Sequence, residues 1–234
     1  MGFCEYTIKD GIFILTLGGS DDGHNHLTAQ SLMDLEKKLK DIRKHIRSSS
    51  KGLVTTSTGE LFCGGPDYGQ TSRAVADELA RRMARVVHEI FTMPFPTVAA
   101  VTGDVRSSLA LALVLAHDDT ATMEKAKFEV KEVQDGRVCM PPYVAALLRD
   151  KAAFPRMRSS MVLRSETMLG SDMTYWEVFE RWIYDKEGGG VDIASGIVTG
   201  SFGDVQDGDA YVITRKSFFP ESSKAISNFL RDDQ

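Results

Sequence analysis

Residues Leu53 to Asp67 read L-V-T-T-S-T-G-E-L-F-C-G-G-P-D, and the fold turns on them. Leu53 to Thr56 are apolar or β-branched, the composition of a buried strand. Thr58-Gly59 interrupts that strand, and Leu61-Phe62 leads directly into Cys63-Gly64-Gly65-Pro66-Asp67. Adjacent glycines let the backbone take conformations closed to other residues and let a ligand come close to it. A helical repeat begins near Ala74. Strand, glycine-rich turn and helix in this order is the layout of a binding loop at the carboxyl edge of an open α/β sheet. Alone, such a turn reads as a tight connector that needs glycine only for its shape, so the rest of the chain has to give it meaning.

Upstream, Tyr6 to Ile8 and Ile12 to Leu17 flank Asp10-Gly11, the signature of a β-hairpin. Gly18-Gly19-Ser20-Asp21-Asp22-Gly23 follows as a polar loop. From Thr28, an N-cap, Leu32, Leu35, Leu39, Ile42 and Ile46 recur at helical spacing with a Lys/Arg-rich outer face. Downstream, Val75, Leu79, Met83, Val86 and Ile90 mark a second amphipathic helix that stops near Pro94 and Pro96. Thr97 to Thr102 is a strand of small residues. Ser107 to Ala116 is apolar on every face, so its helix belongs in the interior. The N-terminus of that helix, at Arg106-Ser107-Ser108, presents free N–H groups just past a strand end. Ala121 to Met123 and Lys127 to Val130 read as short strands, with Glu132 directly after. Pro141-Pro142 opens a helix through Leu148. Arg156 to Arg164, Thr174 to Ile183 and Glu221 to Leu230 read as helices. Gly188-Gly189-Gly190 reads as a flexible interruption.

With 234 residues, 26% charged and 42% hydrophobic, the chain has the composition of a soluble globular protein. A formal net charge of -5 and the lack of a long Lys/Arg tract argue against nucleic acid as a partner. Cys4, Cys63 and Cys139 are odd in number and lack C-x-x-C spacing, which points to a reducing compartment without disulfides or a zinc site. The five histidines are scattered, and no metal is expected at His24 or His26. No segment has the apolar length of a membrane span and no signal-peptide pattern opens the chain, so an intracellular protein with no membrane partner is expected.

The ordered set F-C-G-G-P-D (62–67), P-F-P-T-V-A-A-V-T-G (94–103), a buried helix ending A-H-D (116–118) and F-E-V-K-E-V (128–133) resembles the crotonase, or enoyl-CoA hydratase/isomerase, superfamily. With R-K-S-F-F-P-E (215–221), it looks nearest to the plant-type peroxisomal Δ3,Δ2-enoyl-CoA isomerases. The resemblance covers most of residues 5–221, with 188–208 aligning poorly. It implies an α/β fold, a crotonase-like ββα spiral core over 1–170, with a C-terminal helical and oligomerisation region of the same fold over 171–234. It also implies a homotrimer or hexamer and an acyl-CoA substrate, with CoA part of the substrate and no separate cofactor. In such proteins two backbone N–H groups stabilise a thioester enolate, and Glu132 matches the glutamate retained in the isomerase branch. That branch can work with one glutamate, which removes a proton from C2 and returns it at C4. Preorganised donors at the developing oxyanion lower the barrier by roughly 3–4 kcal/mol each.

The sequence departs from the pattern at both donors. Pro66 matches the first, and proline has no N–H, so Gly65 or Asp67 would have to replace it. The second falls on Ser108 or Leu109 in a segment, Asp104 to Leu109, that is bulkier than usual. Arg106 and Ser107 are candidates to compensate by polarising a carbonyl, against the plainer reading in which Arg106 faces solvent and the serines cap the helix. Hydratases carry a further glutamate in the buried helix, where Leu111 or Ala112 stands here, which argues against hydration. Cys63 and Cys139 are expected to be small buried residues and not nucleophiles. Three functions follow: an enoyl-CoA isomerase using Glu132, a catalytically impaired acyl-CoA-binding protein, or a repurposed enzyme acting on another carbonyl compound. A cytoplasmic location is expected because the chain ends Asp232-Asp233-Gln234 and not in a Ser-Lys-Leu-like tripeptide, with the peroxisome as the alternative.

Overall fold

A computed structural model describes residues 2–18, 22–67, 72–135, 138–183 and 189–231. Strands β1 (Cys4–Lys9) and β2 (Ile12–Leu17) form the expected antiparallel hairpin. Asp10 (φ 54°) and Gly11 (φ 84°) both take the left-handed conformation that a two-residue hairpin turn demands. Helix α1 (Ala29–Lys44) starts at the Thr28 cap, whose side chain accepts from Ser31 N, and buries Leu32, Leu35, Leu39 and Ile42.

The next part of the chain repeats one unit, a long strand followed by a short strand and a helix. The first unit is β3 (Gly52–Ser57), β4 (Leu61–Cys63) and α2 (Arg73–Phe91). The second is β5 (Thr97–Val101), β6 (Asp104–Arg106) and α3 (Ser108–Leu115), and the third is β7 (Asp119–Met123), β8 (Lys127–Glu129) and the short α4 (Glu132–Asp135). Helices α5 (Pro142–Lys151) and α6 (Pro155–Leu163) lead to β9 (Met168–Leu169), α7 (Gly170–Tyr175) and β10 (Arg181–Ile183). Three helices close the described chain: α8 (Gly189–Gly200), α9 (Gly208–Phe218) and α10 (Pro220–Arg231).

The long strands build one sheet in the order β1-β2-β3-β5-β7-β10, parallel throughout except for the opening hairpin. The short strands build a second, β4-β6-β8-β9, in which β4, β6 and β8 run parallel. This is the ββα spiral with C-terminal helices. Because each turn of the spiral sets its short strand beside the previous one, the carboxyl ends of β4, β6 and β8 lie side by side. Three loops far apart in sequence therefore meet along one edge. Beneath them α3 is buried from Ser108 to Leu115, as a helix with no polar face must be.

Several expectations are corrected. Thr174 to Ile183 is not a helix: α7 ends at Tyr175, Glu177 takes a left-handed φ of 55°, and Arg181 to Ile183 joins the first sheet beside β7. The β-forming Trp182 and Ile183 find a parallel partner there, which outweighs the local helical pattern. Strand β10 thus lies beyond residue 170 yet completes the first sheet. Gly189 and Gly190 do not interrupt structure but open α8, which packs Ala194, Ile197 and Val198 against Val54 and Val98. Gly188 lies outside the described residues, as do Gly19, Ser20, Asp21 and the 232–234 tail. On α2, Val75 is exposed and Ala76 takes the buried position.

Candidate active site

The glycine loop is held in place on both sides. The segment before α1 runs along it, with Gly64 N donating to His24 O (2.8 Å) and Leu27 N to Gly65 O (2.9 Å). Gly65 has φ 70°, and a Cβ there would collide with Arg106 O and Ser107 Oγ and come within 2.7 Å of Ser107 Cβ. Only glycine allows this loop to pack against the end of β6. The N–H of Gly65 is turned to the Cys63 sulfur. Pro66 is buried and brings no donor to the cavity it lines. Asp67 is exposed at the same rim.

The second loop follows β6. Ser107 has φ 101°, a conformation that costs a non-glycine residue on the order of 1–3 kcal/mol and that persists only where neighbours enforce it. Three contacts do so: Ser107 N donates to Glu129 O (2.8 Å), Ser107 Oγ accepts from Ala110 N (3.2 Å), and Gly65 packs on the side chain. The serine therefore caps α3 and tilts the next amide toward the third loop. There, immediately past β8, Ser108 N donates to Glu132 Oε1 at 2.5 Å. Of the two amides left open by the sequence, that of Ser108 faces Glu132, while Leu109 is the following residue of the same first turn.

Glu132 is 3% exposed. Among the described residues its Oε2 and the hydroxyl of Ser108 are buried without a hydrogen-bond partner. A buried, unpartnered carboxylate oxygen is costly, and such atoms mark places where a ligand completes the set. Arg106 does face outward, near Asp104 (3.4 Å) and Glu129 (3.5 Å), and Lys131 pairs with Glu129 at 2.7 Å. Burial alone would raise the Glu129 carboxyl, but Lys131, Thr167 and Arg106 outweigh it and hold the group below its ordinary value.

Glu132, Pro66, Asp67, Arg106 and Ser107 line one cavity of about 360 Å³. His24, His26, Leu61, Glu129 and Lys131 share it and were not singled out for it by the sequence; their approach depends on pairings across the glycine loop that no local pattern encodes. A larger cavity, about 520 Å³, is lined by Asp118, Asp119, Asp150, Lys151, Glu177 and Glu180 among others. Its acidic walls suit an anionic thioester poorly. Cys63 is buried and its thiol is pushed up to about 12 by burial, so it is no nucleophile. Cys139 is exposed, contrary to expectation, because it precedes α5 in the segment 138–140 and not in a packed element.

Comparison with known proteins agrees with this architecture. Over 162 residues the chain is 28% identical to the peroxisomal enoyl-CoA delta isomerase 1 of Arabidopsis thaliana, a match spanning 68% of this chain and 66% of that one. It is 27% identical to the peroxisomal enoyl-CoA delta isomerase 2 of the same plant, over 93% of this chain and 92% of the relative. An enoyl-CoA hydratase from Mycobacterium marinum shares the fold, with a TM-score of 0.82, 17% identity, and coverage of 98% and 97% of the two chains. Residues 7–182, which carry the three repeated units and all three loops, match the enoyl-CoA hydratase/isomerase family, and the chain belongs to that family.

Proposed function

We propose that the protein is an enoyl-CoA isomerase, shifting a double bond of an acyl-CoA thioester through an enolate with Glu132 as the single acid/base. The observation that carries this reading is the Glu132 carboxylate, buried at the start of α4 just past β8 and hydrogen-bonded to the first amide of α3. With substrate present, the thioester oxygen would take the place of Oε1 at Ser108 N, and the released carboxylate would face C2. Glu132 then removes a C2 proton, the electrons of that bond form a C1–C2 double bond as the carbonyl π electrons move onto the thioester oxygen, and the Ser108 amide stabilises the charge. Return of the same proton at C4 leaves the double bond between C2 and C3. Substrate and product have the same composition, so the reaction needs no cofactor beyond the CoA of the substrate. Leu111 and Ala112, buried in α3, offer no second carboxylate for hydration.

Pro66 favours a second reading, an impaired protein that binds acyl-CoA without turning it over. Measuring CoA-thioester binding by calorimetry alongside conversion of a 3-enoyl-CoA separates the two. Binding with conversion is expected; binding without conversion supports the second reading, and loss of both rejects both in favour of another carbonyl substrate.

We further infer a homotrimer or a dimer of trimers, with residues 171–234 serving assembly. The exposure of Tyr175, Ile213 and Phe218 (76%, 65% and 76%) supports this, and sedimentation equilibrium tests it. Among the described residues no helix is long and apolar enough to cross a membrane. For the compartment we propose the cytoplasm, with the peroxisome, supported by the names of the two plant relatives, as the alternative that imaging of the tagged protein distinguishes.

A further inference from the structure

The segment Asp22-Gly23-His24-Asn25-His26 carries a cluster that the reaction above does not use. One donor atom from each of Asp22, His24 and His26 lies within 4.8 Å of the others. Asp22 Oδ2 is 3.6 Å from His24 Nδ1 and 3.7 Å from His26 Nε2. Donors about 2.0–2.2 Å from a tetrahedral cation stand roughly 3.3–3.6 Å apart, so these two pairs are already close to the spacing a bound ion requires.

The opposite ring nitrogens point to a ligand. His26 Nδ1 faces Gly65 O at 3.3 Å, and His24 Nε2 faces Glu60 Oε2 at 3.7 Å. In metal-bound histidines an acceptor beside the outer nitrogen orients the ring, and both rings here turn one nitrogen to such an acceptor and the other toward Asp22. The backbone between them is fixed: Asn25 has φ 51°, is fully buried, and donates its side-chain amide to Leu61 O at 2.9 Å. The histidine side chains are 38% and 39% exposed, open enough for an ion and its waters to enter.

We propose that Asp22, His24 and His26 form a binding site for a divalent cation of borderline softness, of which Zn²⁺ is the representative. Two imidazoles and a carboxylate with open positions for water are a donor set of that class. The scatter of histidines along the sequence argued against a metal, but the fold brings two of them to one carboxylate. Both also line the cavity that Glu132 lines, so an ion held there sits at its rim.

Tag-free protein, stripped of metal by a chelator, is titrated with Zn²⁺ by calorimetry and with Co²⁺ by visible absorption. One equivalent should bind with a micromolar or tighter Kd. His24→Gln, His26→Gln and Asp22→Asn should each weaken it by about tenfold or more. His45→Gln, which alters a histidine–carboxylate pair elsewhere on the surface, should leave it unchanged. Circular dichroism checks that each variant is folded. Millimolar or weaker binding by folded wild-type protein, binding indifferent to His26→Gln, or binding lost in His45→Gln would each overturn the assignment.

Discussion

At the scale of single residues, Pro66 and Glu132 pull the proposed isomerase chemistry in opposite senses. Proline lacks the N–H that the proposed oxyanion would need there, while Ser108 and Glu132 would supply the other half. Substituting Pro66→Ala restores an N–H at the rim of the cavity, and kcat for a 3-enoyl-CoA is expected to rise by about 10-fold or more, since one donor is worth about 10²–10³ when well placed. An unchanged kcat would mean that this amide does not reach the thioester. The cysteines give a separate check on burial. Cys4 and Cys63 are buried and their thiols are pushed up to about 12 by burial, whereas Cys139 is exposed. A thiol reagent should therefore add one label per native chain, at Cys139, as read by peptide mass spectrometry, and rapid labelling of Cys63 would contradict the described loop. Glu132 was legible in the sequence because it follows the short strand read at Lys127 to Val130, whereas Ser108 stayed open against Leu109 because the three-residue strand before it shows no period. His24 and His26 were not legible, because what brings them to the site is contact with a loop 39 residues away.

At the scale of elements, α9 shows why R-K-S-F-F-P-E belongs to the fold. Arg215 is 5% exposed and grips Asp118 with two bonds of 2.6 Å, from Nε and Nη2. Its remaining N–H groups donate to Phe91 O, Met93 O and Phe95 O at 3.0, 2.7 and 2.9 Å. The loop between α2 and β5 is thereby tied to α9. Arg215→Met leaves the Asp118 carboxylate and three carbonyls without this partner, and urea unfolding should show a loss of about 3–5 kcal/mol. A loss below about 1 kcal/mol would mean that α9 is not held by this pair. The long, periodic helices α1 and α2 were readable from sequence because repeated apolar positions leave one consistent face. Strand β6 was not, since three residues are too few to show a period, and it was read as part of a bulky turn. The turn and strand after α7 were masked for the opposite reason: a local helical pattern was overridden by pairing with β7.

At the scale of the whole molecule, the spiral brings three loops to one edge, the candidate active site, and its interior makes stability depend on pH. His117, at the end of α3, is fully buried, with ring nitrogens 2.9 Å from Leu113 O and 2.8 Å from Thr55 Oγ1. Burial pushes its imidazole down to about 4. In the unfolded chain the group titrates near about 6.5, so between those values the unfolded state binds more protons than the native one. Its contribution is complete above pH ~6.5 and is lost as pH falls toward ~4, by roughly 3 kcal/mol at most. Urea unfolding at neutral and mildly acidic pH should show this decline, and His117→Asn should flatten it; an equal slope in the variant would assign the acid sensitivity elsewhere. The same architecture places the Glu132 carboxylate against Ser108 N, so in the proposed reaction substrate and base would compete for one amide. The most direct measurement is the rate at which purified wild-type protein and Glu132→Gln convert a 3-enoyl-CoA to the conjugated 2-enoyl-CoA, with an active isomerase as control. Turnover by the wild type that falls by about 10³-fold or more in the variant is the expected result. Equal rates in the two proteins, whether measurable or negligible, would contradict the assignment of Glu132 as the acid/base.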